Sequence, residues 1–157
     1  MALDTTSAAD EPELAPFRLN RVMATWNNRL EARLTVAGAS FAHWRVVMVA
    51  ARAGRPLSII ELAAWTLVPH STLSRQLAAI EREGLLTRER HALDGRAVAV
   101  RLTAQGRARY REWLPLALAE AEAVLGLLIP ADRAAFGRVL RLLEHATSHD
   151  QPSASIA

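Results

Sequence analysis

Between Val68 and Arg96 the chain concentrates side chains that hydrogen-bond and carry positive charge, without a nucleophile and base in any recognisable catalytic motif. Ser71, Thr72 and Ser74 crowd the first turns of a helical stretch, and Arg75 and Gln76 follow directly. Backbone N–H groups at a helix start point outward without intrahelical acceptors, and small hydroxyls beside them suit a phosphate oxygen. The fork of an arginine and the amide of a glutamine suit the edges of bases, because each offers paired contacts. Downstream stand Arg88 and Arg90, then Asp94-Gly95-Arg96, a basic element with a turn signal near its tip. The chemistry is recognition of a polyanion, and duplex DNA is the expected partner.

Charge is distributed to match. The 157 residues carry a formal charge of only +3, and all 19 basic residues are arginines. From Arg75 to Arg111, nine arginines face four acids (Glu81, Glu83, Glu89 and Asp94), so this segment is strongly basic while the remainder is slightly acidic. Such asymmetry steers a protein toward nucleic acid. The absence of cysteine excludes disulfides, thiolate zinc sites and thiol switches. The N-terminus has no basic-then-apolar leader, and no apolar run approaches the roughly 20 residues of a membrane span. A cytoplasmic protein with no membrane partner and no cofactor is expected. His145 and His149 have a metal-compatible spacing but fall at a polar terminus, and read as solvated.

A helix that enters a groove needs a frame to present it, and the hydrophobic periodicity supplies one that is mainly α-helical. Residues 1–13 and 147–157 lack periodicity and read as mobile tails around a single domain, 14–146. Leu19, Met23, Trp26, Leu30 and Leu34 mark a first amphipathic helix; Phe41, Trp44, Val47, Met48 and Ala51 mark a second, capped by Ser40. Ser58 and Glu61 form a capping box for a short third helix through Trp65. Pro69 stands near the first position of the fourth, where Leu73, Leu77 and Ile80 share one face and Ser71, Thr72, Arg75, Gln76 and Ala79 point away. Gly84 is placed to end that helix. Leu85–Arg90 and Ala97–Leu102 then read as the two strands of a hairpin. Thr103 caps a long fifth helix expected to reach about Leu128, with Pro115 inside it as a possible kink, and Pro130 opens a sixth.

This order of elements, with Ser40-Phe-Ala-His-Trp-Arg-Val-Val47, Glu61-Leu-Ala63, Ser71-Thr-Leu-Ser-Arg75, Glu81-Arg-Glu-Gly-Leu85, Asp94-Gly-Arg96 and Leu102-Thr-Ala-Gln-Gly106, resembles the MarR family of bacterial winged helix-turn-helix regulators. Two positions depart from that pattern: Pro69-His70 replaces a small cap before the Ser-Thr pair, and glycine occupies the middle of Asp-x-Arg. The resemblance implies a winged helix-turn-helix at about 40–103, and dimerisation helices at about 14–36 and 103–146. It implies a homodimer that reads a near-palindromic operator, by family habit as a repressor.

On that reading Ser71, Thr72 and Ser74 hold phosphate, Arg75 and Gln76 reach base edges, and Arg88 and Arg90 contact the backbone. Arg96 resembles the family arginine that enters the minor groove, oriented by Asp94. The family often binds a small anionic or phenolic effector; here Trp26, His43, Trp44, Arg45 and Trp113 are the residues that could line a pocket for an aromatic acid, although tryptophans at helical spacing read more readily as core. The alternative is a dimeric interaction or ligand-binding module, an anti-repressor, that keeps the scaffold without specific DNA binding.

Overall fold

The apolar stripe that starts at Leu19 does fold into a helix, α1 (Ala15–Val36), yet only its later turns reach the core: Leu30 and Leu34 are buried, whereas Leu19 and Met23 stay exposed. The computed structural model describes residues 12–90 and 98–147. Asp94, Arg96, His149 and nearly all of the two expected tails therefore lie outside the described residues. At the inner edges of those tails, Pro12–Leu14 forms a 3-10 turn leading into α1, and the last helix ends at Thr147.

After α1 come α2 (Phe41–Ala53), the two-residue strand β1 (Leu57–Ser58), α3 (Ile59–Thr66), α4 (His70–Arg82), β2 (Leu86–Arg90), β3 (Val98–Leu102), α5 (Ala104–Leu125) and α6 (Pro130–Thr147). The caps read from the sequence are formed. Ser40 Oγ accepts from His43 N at 3.1 Å, and Ser58 and Glu61 make both halves of their capping box. Thr103 Oγ1 accepts from Gly106 N at 3.0 Å.

Three details differ from the sequence reading. Pro69 is the N-cap of α4 rather than its first residue; its carbonyl accepts from Leu73 N at 2.9 Å, and proline has no side chain able to cap. The fifth helix stops at Leu125, where Gly126 N returns to Glu122 O, and Leu127 and Leu128 fall in the turn before Pro130. Pro115 sits inside α5, where it has no amide N–H to bond to the carbonyl of Arg111. The hairpin also gains a third strand: β1 pairs antiparallel with β3 (Leu57 opposite Val100), giving the order β1-β3-β2. Two residues are too few to show a period of two, so nothing local announced it.

One core joins these elements. Leu34 of α1, Val46 and Val47 of α2, Leu62 of α3, Leu73, Leu77 and Ile80 of α4, Leu57 and Val100 of the sheet and Trp113 of α5 are all buried in it. Trp44 stacks on Tyr110, ring centroids 5.9 Å apart, tying α2 to α5. α6 is different, for none of its described side chains is buried, although Val139, Leu140, Leu142 and Leu143 are large and apolar.

Candidate nucleic-acid interface

The exposed side of α4 follows from the burial of the other. Leu73, Leu77 and Ile80 lie 3 to 4 residues apart and are fully buried, which turns Ser71 and Arg75 outward to solvent and leaves Thr72 and Ser74 half-buried at the flanks. Because Pro69 makes no side-chain cap, the first amides of α4 keep their outward donors beside the two serines and the threonine. Arg75 has no ion-pair partner among the described residues. Gln76, read as a base-reader, is half-buried, and its amide oxygen is enclosed without a hydrogen-bond partner, so its carbonyl end is turned into the fold.

At the other end, α4 closes in a Schellman turn. Gly84 N donates to Glu81 O at 2.9 Å and Leu85 N to Ile80 O at 3.1 Å, with Gly84 at φ +73°, a conformation that a Cβ would strain. The chain then enters β2 with Arg88 folded back on the helix. Glu81 accepts the Arg88 amide at 3.0 Å and the guanidinium at 2.7 Å (Nε) and 2.6 Å (Nη2). Arg88 thus spends its fork on Glu81, a use the sequence reading missed because the seven-residue separation spans a helix end and a turn. Arg90 ends β2 in register with Val98, and Arg101 lies exposed on β3 opposite Thr87.

The hydrogen bond from the Arg88 guanidinium, with further help from its amide and charge, outweighs partial burial and holds the Glu81 carboxyl below its ordinary range. A depressed carboxylate stabilises the fold above the unfolded value, and that contribution disappears as pH falls through the folded value. Glu81→Gln should therefore be less stable than the parent at pH 7, and the two urea midpoints should converge once the pH drops below about 4. A gap that persists unchanged into acid would show that the carboxylate charge is not what matters.

The residues expected to meet an effector divide into two groups. Trp44 and Trp113 are buried in the core, although Trp113 Nε1 has no partner there. Trp26, His43 and Arg45 are half-buried. His43 Nδ1 lies 3.5 Å from Glu83 Oε2 at the end of α4. Arg45 lies over the Phe41 ring at 5.7 Å without an acidic partner among the described residues, and burial pulls its guanidinium below the ordinary value. His43 and Arg45, two residues apart on α2, point to nearly opposite sides of that helix, so the structure does not bring them together, and Trp44 between them stacks on Tyr110.

Away from this face stands the buried acid that sequence reasoning overlooked. Glu120 of α5 is 1% exposed and is gripped by two arginines of α1: Arg33 Nε bonds Oε1, and Arg29 Nε stands 3.0 Å from Oε2, outside good hydrogen-bonding direction. The pair Arg29 and Arg33, one turn apart, was the available signal. Glu31, on the same helix, accepts from the Phe41 amide and so helps cap α2 from outside it. Among the described residues no three metal-ligating side chains cluster, and no single helix is long and apolar enough to cross a membrane.

Comparison with known proteins bears on this arrangement. A model of the MarR family matches residues 37–97, from just after α1 to just before β3. The HTH-type transcriptional repressor YetL of Bacillus subtilis is 28% identical over 113 residues, which are 71% of this chain and 66% of that protein, just under two thirds of its length. The crystal structure of a MarR family transcriptional regulator from Silicibacter pomeroyi superposes with a TM-score of 0.76 at 30% identity, covering 90% of this chain and 92% of that one. BpsR of Bordetella bronchiseptica, solved in work on regulation of its DNA binding by 6-hydroxynicotinic acid, superposes with a TM-score of 0.72 at 25% identity over 83% of this chain and 92% of its own.

Proposed function

This chain belongs to the MarR family of transcriptional regulators, and from that premise we propose that it is a cytoplasmic homodimer that binds a near-palindromic operator as a repressor. The observation that carries the proposal is the free face of α4. There, exposed Arg75 has no ion-pair partner among the described residues, and it follows Ser71, Thr72 and Ser74 at an uncapped helix start. The serines and threonine bind phosphate and set the register, while Arg75, with the amide end of Gln76 beside it, reaches bases in the major groove. Arg88 and Arg90 line the DNA backbone, with Arg88 contributing less because Glu81 already occupies it. Arg96, oriented by Asp94, is assigned the minor-groove contact on the strength of the family resemblance.

The dimer follows from apolar surface that one chain leaves uncovered. Phe17, Leu19, Val22 and Met23 on α1, Leu118 on α5, and Val139, Leu140, Leu142 and Leu143 on α6 are all exposed. Exposed apolar area spread over three helices of a folded chain points to an interface, and a second copy is the economical cover. Two recognition helices related by a two-fold axis then meet successive major grooves about 34 Å apart.

Selection of bound sites from a random duplex library at about 0.15 M salt tests the reading, since phosphate contacts alone give affinity that falls steeply with salt and no consensus. The expected product is a near-palindrome with half-sites one helical turn apart. A folded dimer that enriches no sequence would instead favour the interaction-module reading.

Effector release is proposed on the same basis. Half-buried Arg45, which has no acidic partner among the described residues, offers a cation to an aromatic carboxylate, and a relative's DNA binding is regulated by 6-hydroxynicotinic acid. A panel of aromatic acids should contain at least one that quenches tryptophan fluorescence and releases the selected DNA, with Arg45→Ala abolishing the response. A silent panel would sink this part of the proposal while leaving operator binding intact.

A further inference from the structure

The two carbonyls just beyond α4, those of Gly84 and Leu85, are both taken by one residue at the start of α5. Thr103 Oγ1 donates to Gly84 O at 2.7 Å and Thr103 N donates to Leu85 O at 3.1 Å. The same hydroxyl accepts from Gly106 N at 3.0 Å, so its one proton and one of its lone pairs are used to close one helix and to cap the next. Gly106 lets the two backbones meet this closely. A Cβ there would collide with the Leu85 carbonyl, 2.9 Å from its carbon, and with Leu102 Cδ2 at the same distance. From this joint α5 runs as one helix to Glu120, where α1 grips it through Arg29 and Arg33. A rotation of α5 has a direct backbone connection to the end of the recognition helix, and no flexible segment intervenes.

We infer that Thr103 is a positioning residue that fixes the angle between α5 and α4, and thereby sets the half-site spacing the dimer accepts. The inference rests on reading α4 as the operator-reading helix. Its geometric half can be measured without DNA. The chain has no cysteine, so His70→Cys at the far end of α4 and Arg111→Cys on α5 can carry a pair of spin labels, diluted into unlabelled protein. Electron-spin distance measurement should give one narrow distribution for the parent background and for Thr103→Ser, which keeps the hydroxyl. Thr103→Val, which keeps the shape and loses both hydroxyl bonds, should broaden it, with folding checked by its thermal transition. An equally narrow distribution in folded Thr103→Val overturns the inference.

The functional half compares affinity for the selected site with affinity for the same site carrying one inserted central base pair. The insertion moves the half-sites by about 3.4 Å and turns them by about 34°. The parent and Thr103→Ser should lose about ten-fold or more on insertion, and Thr103→Val about three-fold or less. Undiminished discrimination in Thr103→Val overturns the inference even if the distances broaden. Broadened distances in a protein whose parent form selects no site would support the joint and fail the operator reading instead.

Discussion

Replacing Arg29 and Arg33 together by alanine should cost about 3 to 5 kcal/mol of folding stability, the largest loss expected from any surface-reaching change in this chain. Glu120 is almost completely enclosed, and among the described residues the cations its carboxylate faces are those two, across the α1–α5 contact. Removing both leaves a buried charge with nothing to offset its lost hydration. Because the arginines are themselves about half-exposed, water can follow the vacated path, which places the loss nearer the lower bound. A single substitution should cost much less, since the remaining guanidinium still neutralises the acid. Adding Glu120→Met to the double variant should recover most of the stability, because an apolar side chain of similar size needs no counter-charge there. Urea unfolding at one fixed chain concentration measures all of these. A double variant within about 0.5 kcal/mol of the parent would mean that Glu120 is not carrying a buried charge.

Arg75→Ala should weaken binding to the selected operator by about 1 to 3 kcal/mol, roughly 5- to 150-fold, and relax base preference at one position in each half-site. The expectation follows from its surroundings. Arg75 lies one turn beyond Ser71 on the outward face of α4, and no acid among the described residues competes for its fork. Arg88 is the internal contrast, because Glu81 already accepts its guanidinium and its amide. Arg88→Ala should lower affinity for cognate and scrambled duplex alike, and by less, together with a loss of stability from the orphaned Glu81. Titrating both variants against both duplexes separates the roles. Equal losses on cognate and scrambled DNA for Arg75→Ala would falsify base reading by this residue.

What was legible in the sequence was whatever depends on neighbours a few residues away. Helical spacing placed Leu73, Leu77 and Ile80 on one side of α4 and Arg75 on the other, and the burial of those three side chains is what exposes the arginine. The caps at Ser40, Ser58 and Thr103 were equally readable, because a cap joins residues two or three apart. Gly84 was readable because only glycine adopts its backbone conformation without strain. The strand β1 was not, since its two residues are extended only because β3 lies beside them.

The sequence by itself therefore determined the order of the helices and the hairpin, the mainly helical class with its small wing, the exposed face of α4 and the family. Each rests on periodicity, local hydrogen bonding or a motif along the chain. Only the tertiary structure decided which charges are free. It committed Arg88 to Glu81, buried Glu120 between Arg29 and Arg33, enclosed the Gln76 oxygen, put Trp44 and Trp113 in the core, and welded the end of α4 to α5 through Thr103. The physical reason is that a charge or a hydroxyl finds its partner through space, at separations of 7, 19 or 87 residues that no local pattern records. Whether it stays available to a ligand is settled when the helices pack.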